Sequence, residues 1–404
     1  MVRLTDLVGA KKNPNKTGAK QSKPVIPAGT PSGGGFLRAS DLSSYYEVSS
    51  QQESTAIPYS GTVENPTGKP MRSSHTERGI ISGQDEKGLE LYPHESEKQS
   101  FLSREKESSQ EADIIHIELL DILDDIYEEG KNDKVFSVER LIDPVLKLIT
   151  ICRKSNAILR KAVRYKRNPE NFTSHSLNVA IVSIKIGICR RFSRERLFSL
   201  ALCALLGDIG MTKVDTAILR KKEKLNQQEF QEIMMHIVHS RDIVSGIADK
   251  FPFLTPIIYQ LHERENGDGY PERLKGGNIH EFAKIIGMSD VYIAMTSPKI
   301  HRDDFSGFEA LQKIVSKRGI DFSPEIIKSL IDVISIFPLE SLVKLNNGAI
   351  GRVVEISPVH PTRPILKILV NSDGVHLKTS SILDLENEPL LYVEDPDIEE
   401  GAVL

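Results

Sequence analysis

Five residues of metal-ligating type, His175, Asp208, His236, His262 and Asp290, sit among apolar neighbours in successive segments of the chain. A single histidine on an apolar helix face is ordinarily a core residue with a hydrogen-bond partner. Five such residues on five successive helices or helix ends point to side chains converging on the interior of one bundle, which is how helical histidine and carboxylate metal sites are built. Mixed imidazole and carboxylate donors suit Fe, Mn, Zn or Ni better than Ca or Mg. Asp208 is also the candidate catalytic residue, because an aspartate can bridge two metals and help hold the hydroxide that attacks a phosphate ester. It closes an apolar run, LLGDIGM, Leu205 to Met211, where a helix leads straight into Gly-Asp-Ile-Gly.

The elements that must carry these residues are mostly helical. IIHIELLDILDDIYEEG places Ile115, Leu119, Ile122, Leu123 and Ile126 on one face, and a second helix follows with Leu141, Val145, Leu148 and Ile149 in phase. Pro144 is expected in the first turn or so of that second helix. The pair reads either as a small dimerisation or sensory bundle or, preferably, as the first layer of the next domain. SHSLNVAIVSIKIGI carries Leu177, Ala180, Ile181, Ile184 and Ile188; RERLFSLALCALLGD carries Leu197, Leu200, Ala201, Ala204 and Leu205. Asn226 and Glu229 form a capping pair ahead of FQEIMMHIVHSRDIVSGIADK. TPIIYQLHEREN and EFAKIIGMSDVYIAMTS predict two more helices, with the Gly- and Pro-marked loop GDGYPERLKGG between them. SPEIIKSLIDVISIF closes the bundle. After Pro338 the period changes to two. LVKL and IGRVVEI flank Asn347-Gly348 as a hairpin, and PILKILV is a third strand before a turn at Ser372-Asp373-Gly374. The acidic end, EDPDIEEG, is expected to be loose.

The remaining boundaries follow from composition. Residues 1–110 are rich in Ser, Gly, Pro and Lys without apolar period, and predict a disordered, solvated tail or docking arm. Residues 111–165 form an N-terminal helical segment, 166–338 the main helical domain and 339–404 a small β-rich extension. The chain of 404 residues is 39% hydrophobic and 27% charged with a formal net charge of −4, which does not argue for DNA or RNA as a partner. Cys152, Cys189 and Cys203 fall in apolar helical patterns and read as reduced core residues, so the expected compartment is the cytoplasm. The N-terminus shows no signal-peptide core, and no run approaches the ~18 apolar residues of a membrane span.

HSLNVA, LLGDIGM, the His236 helix, LHERENGDGYPERLKGGNI, AKIIGMSDVYIAMTS and FSPEIIKSLIDVISIFPLESLVKLNNGAIGRVVEI follow one another as in the HD-GYP family, the branch of the HD phosphohydrolases that hydrolyses cyclic di-GMP. The resemblance spans residues 115–375, with the loop Gly269-Tyr270-Pro271 intact. It implies a mainly α, HD-type bundle. It also implies two metals, one held by His175, Asp208 and Asp290, the other by Asp208, His236 and His262. Substrate contacts would come from Gly269, Tyr270, Pro271, Lys299 and Arg302.

The chain departs from the family pattern at several of these positions. The family's HD histidine falls on Gly207, and the first of its adjacent histidines on Leu261. Its lysine falls on Met211, a loop aspartate on Asn266, and a glutamate some members use for a third metal on Asn171. His239, Glu265 and Asp268 are the nearby groups to weigh as replacements, with a surface or turn role expected for His239 and Asp268.

The resemblance therefore implies a degenerate metal centre in a bacterial cyclic di-GMP signalling protein. Such a protein would bind that or a related nucleotide, or partner signalling proteins through the loop or the tail, with impaired hydrolysis. The alternatives are a working metal-dependent phosphodiesterase with a reduced ligand set, and an interaction module binding neither metal nor nucleotide. A divalent metal is the implied cofactor, substoichiometric or absent in the degenerate case. A homodimer is compatible with the sequence.

Overall fold

The computed structural model describes residues 95–164, 171–221, 223–297, 305–357 and 360–398. Most of the expected tail, and both Lys299 and Arg302, lie outside the described residues. The first helix, α1, runs from Glu95 to Lys131, so helix begins upstream of Ala112. The added stretch, ESEKQSFLSREKESSQE, lacks the apolar period that marked the rest but holds no Gly or Pro and many straight-chain helix formers. Ala112, Ile115, Leu119, Leu123, Ile126 and Tyr127 are buried along one side of α1, and that packing, rather than propensity, holds such a helix in place.

α2 (Glu139–Lys154) and α3 (Ala157–Arg164) follow. Pro144 lies inside α2, beyond its first turn, where it removes one backbone donor; its ring is buried against the core. α4 (Phe172–Cys189) and α5 (Arg194–Leu206) form the centre of the molecule. Both are buried on nearly every side, as expected for helices that are apolar all round. α4 is long and apolar enough to cross a membrane by length and composition, but 72% of that window is buried inside the bundle, where it serves as a core helix. Cys152 and Cys203 are buried thiols, whereas Cys189 is exposed at the C-terminal end of α4, contrary to its apolar sequence setting.

A 3-10 turn, Ile209–Lys213, leads to α6 (Thr216–Leu219), α7 (Gln227–Met234), α8 (His236–Ser245) and α9 (Leu254–Ile258). The stretch expected as one helix breaks at Met235 into α7 and α8, and the Asn226–Glu229 capping box starts α7. α9 ends at Ile258, so His262 lies on turns beyond it. There the backbone continues in tighter turns, with the Leu261 N–H donating to the Ile258 carbonyl (3.2 Å) and the Glu263 N–H to the Gln260 carbonyl (3.0 Å), and the His262 carbonyl accepts from the Tyr270 N–H of the following loop (3.2 Å). α10 (Glu281–Thr296), α11 (Gly307–Ser316) and α12 (Pro324–Ile334) complete the bundle; α12 starts with Ser323 as cap and Pro324 in its first turn.

The β-rich end is a five-stranded antiparallel sheet of order β4-β3-β2-β1-β5: β1 Leu342–Leu345, β2 Ile350–Glu355, β3 Ile365–Val370, β4 His376–Asp384 and β5 Val393–Asp395. The hairpin at Asn347-Gly348 and the turn at Gly374 form with positive φ at both glycines. Part of the acidic end is ordered after all: Glu394 and Asp395 lie in β5, paired to β1. A single hydrophobic cluster runs from α1 through the bundle into the sheet, so α1 and α2 share the core that positions the candidate site.

Candidate metal centre

The five candidate ligands meet at one place and form two groups whose ligating atoms lie within 4.8 Å of one another: Asp208, His236 and His262, and His175, Asp208 and Asp290. Asp208 belongs to both. Its Oδ1 lies 3.7 Å from His236 Nε2 and its Oδ2 lies 3.8 Å from His175 Nε2, the disposition of a bridging carboxylate.

Each ligand is aimed by the element that carries it. α4 presents His175 one turn past its N-cap, Asn171, whose side-chain oxygen accepts from Ser174 N. Asp208 sits just after α5 and just before the 3-10 turn. That turn packs against α8 at Gly210, where an added Cβ would come within 2.1 Å of the His236 carbonyl, so only glycine allows Asp208 and His236 to approach. The Gly210 N–H donates to Ser240 Oγ (2.8 Å), which fixes the same contact. His236, 3% exposed, has Nδ1 2.6 Å from the Ile233 carbonyl. Donating Nδ1–H there leaves the Nε2 lone pair facing His262 Nε2 at 2.9 Å, the outer hydrogen bond that orients a ligating imidazole. The Tyr270 ring stacks on His262 with centroids 4.9 Å apart and planes inclined by 14°. Gly269 lets the loop close this tightly, since a Cβ there would meet Arg264 N at 2.5 Å.

The Gly-Tyr-Pro loop therefore packs against the candidate ligand His262. Glu263, between His262 and Arg264, accepts from Glu272 N (2.7 Å) and Leu274 N (2.9 Å) and so anchors the loop's far side. Burial pushes the Glu263 carboxyl above the usual range, opposed by these backbone donors. Tyr270 and Pro271 also border an apolar depression with Phe230, Met234, Met235 and Val238.

The positions that depart from the family pattern have structural explanations. Gly207 and Leu261 are neighbours: a Cβ on residue 207 would lie 2.6 Å from Leu261 Cδ1. The leucine side chain thus occupies the room an imidazole at 207 would need, and the two departures act as one. Met211 is 5% exposed, packs with Val214 and Ile233 in a small apolar cluster and also lines a polar cleft, where it offers no cation. Asn171 is engaged as the cap of α4. Glu265 pairs with Lys284 (2.7 Å), and Asp268 accepts from Asn266 in the loop turn (2.9 Å), so neither joins the described ligand groups. His239 lines a separate depression with Asp133, Lys213 and Asp242. This polar cleft of about 450 Å³ runs along α1, the start of α4 and the 3-10 turn, lined by Asp124, Tyr127, Asn171, Thr173, Met211 and Arg220 among others.

Tyr127 is a site-associated residue that motif reading passed over. Its hydroxyl reaches Ser176 Oγ (2.8 Å) and the Leu205 carbonyl (2.9 Å). Burial, then the Asp208 charge, raise its pKa well above the ordinary value, so the phenol keeps its proton. The signal that could have found it is periodicity: it follows Leu123 by four residues on the apolar face of α1.

The family description "HD domain" matches residues 162–326, and "KOW domain associated with HD domain" matches residues 342–400. Fold and ligand set thus define an HD-domain protein with a β-rich extension. Relatives include the cyclic di-GMP phosphodiesterase PdeB of Borreliella burgdorferi, 26% identical over 301 residues, covering 74% of this chain and 79% of that protein. The cyclic di-GMP phosphodiesterase PA4108 of Pseudomonas aeruginosa is 29% identical over 51% of this chain and 49% of its own length. A solved structure, Bd1817, an HDG"Y"P protein from Bdellovibrio bacteriovorus, overlaps 59% of this chain and 80% of its own, at 18% identity and a TM-score of 0.47. The HD-domain match covers the part of the chain that carries the five candidate ligands, and the names of these two relatives give them as cyclic di-GMP phosphodiesterases.

The donor chemistry fits a pair of divalent metals. Each group supplies three protein ligands, the number that holds many catalytic metals with a position left for water, and one carboxylate is shared between them.

Proposed function

We propose that this chain is a cytoplasmic cyclic di-GMP signalling protein whose metal centre persists with two fewer imidazoles than the family pattern and whose hydrolysis is impaired. The observation that carries the reading is the pair of three-ligand groups sharing Asp208, with Gly207 and Leu261 in contact at the two altered positions. His175, Asp208 and Asp290 would hold one metal, and Asp208, His236 and His262 the other. When bound, divalent metals supply a Lewis acid and an acidified water near the scissile phosphate.

The chain's own residues do the rest. Ile233 and Tyr270 hold the two imidazoles of the buried group, and Asp208 sets the separation of the two groups. Glu263 holds the loop that would border the nucleotide, with Gly269, Tyr270 and Pro271 at its tip and Lys299 and Arg302 as phosphate contacts. Met211 offers no cation to a phosphate, and losing one preorganised charge contact costs ~10²–10³ in rate. The nucleotide signal would pass to partner proteins through the Gly-Tyr-Pro loop or residues 1–110.

A second reading, an active phosphodiesterase, is favoured by one observation: neither group falls below three ligands. Metal analysis of protein purified anaerobically with iron and manganese supplied, followed by cyclic di-GMP binding and turnover assays, separates the two. Bound nucleotide with slow or no turnover is expected. About two metals per chain with rapid turnover would establish the second reading, and absence of both metal and nucleotide binding would overturn both.

A further inference from the structure

The longest helix in the described residues, α1, reaches the metal centre through one side chain. Tyr127 is 4% exposed, and its hydroxyl is fixed by partners on two different helices. It donates to the Leu205 carbonyl on α5 (2.9 Å), which leaves it to accept from Ser176 Oγ on α4 (2.8 Å). Ser176 is the residue after His175, and Leu205 lies three before Asp208. The phenol therefore bridges the helix that presents His175 and the helix end that presents Asp208, the ligand common to both groups.

Other contacts of α1 fall on the same elements. Asp124 accepts from Thr173 Oγ1 at the start of α4 (2.5 Å), and Lys213 of the 3-10 turn donates to the Lys131 carbonyl (2.8 Å). α1 lies wholly before residue 162, where the HD-domain match begins, and it joins residues 1–94 to the site along the chain.

We propose that Tyr127 is a positioning residue: through the helices that present them, it sets the separation of His175 and Asp208 and so the metal affinity of the group they share. The inference rests on the reading of the five residues as a metal centre and adds which side chain outside that centre sets its geometry. A buried hydroxyl with two partners in different helices fixes their register, because sliding either helix leaves a buried polar group unpaired. Hydrogen bonds made directly to ligating groups typically govern about 10–100-fold of metal affinity; the Tyr127 hydroxyl acts one step further out, on the residue beside His175 and on the helix end before Asp208.

The test is Mn(II) titration of the full chain, followed by electron paramagnetic resonance, for wild type, Tyr127→Phe and Leu119→Ala. Tyr127→Phe keeps the ring and removes the hydroxyl; Leu119→Ala leaves a cavity on the same helix without touching α4–α5 polar contacts. Expected is a dissociation constant raised by about threefold to tenfold for Tyr127→Phe, at or below the low end of what a direct partner of a ligand governs. Leu119→Ala is expected to stay within about twofold of wild type despite a lower Tm. Should Tyr127→Phe not fold, Ser176→Ala carries the same test by removing one partner. Wild-type affinity in the folded Tyr127→Phe or Ser176→Ala protein would overturn the proposal while leaving the metal centre standing. A wild-type chain that takes up no Mn(II) would overturn both.

Discussion

The two ligand groups of the centre share Asp208 but are built differently. The group of Asp208, His236 and His262 is buried and held from outside, His236 by the Ile233 carbonyl and His262 by the Tyr270 ring. The group of His175, Asp208 and Asp290 is half-buried and closes on itself, with His175 Nε2 2.7 Å from Asp290 Oδ1. A metal entering either group must replace an existing hydrogen bond, His236 Nε2 to His262 Nε2 (2.9 Å) in the first and His175 Nε2 to Asp290 Oδ1 (2.7 Å) in the second. The first offers two imidazoles held from outside; the second offers a second carboxylate. The two halves therefore hold their side chains by different means: the buried half by outside contacts to its imidazoles, the more open half by the charge of a second carboxylate.

This contrast can be broken most directly at the shared residue. Asp208→Ala is expected to abolish metal binding by both groups in a protein that still folds, read as metal content and circular dichroism; retention of one metal would show that the groups are independent. Next in size, His262→Ala and His175→Ala should each remove about one metal. Only the first should also lower Tm appreciably, because it empties space beneath Tyr270 in the buried half, at a cost of about 2 kcal/mol by analogy with core truncations.

Gly207→His alone should destabilise the fold by roughly 1–3 kcal/mol, as overpacking does, since the added Cβ meets Leu261. Combining it with Leu261→His should recover part of that loss and raise metal affinity; a double variant no tighter than wild type would show that these positions do not supply the missing imidazoles. Adding Met211→Lys is expected to raise turnover of cyclic di-GMP further. Its own effect on Tm should be the smallest, because Met211 borders the polar cleft and a lysine stem can stay packed while its ammonium reaches water.

Much of the site was legible in the sequence because its residues announce themselves chemically. His175, Asp208, His236, His262 and Asp290 are polar residues in apolar helical surroundings, and the order of motifs around them is that of the HD-GYP family. The hairpin at Asn347-Gly348 and the box at Asn226 were readable for the same local reason, a residue type tied to one backbone conformation. The early start of α1 was hidden because residues 95–111 carry no apolar period, and the break at Met235 because both halves keep one.

What the sequence by itself determined was the set of candidate ligands, the helical phase of those on helices, and the positions that depart from the family pattern, all of which depend on residue identity and spacing. What only the tertiary structure decided was how those residues meet. That Leu261 fills the space beside Gly207, that Met211 turns into an apolar cluster, and that Tyr127 ties α4 to α5 are contacts between segments distant in the chain. Close packing sets such contacts through the simultaneous fit of several helices, and no local pattern encodes that fit.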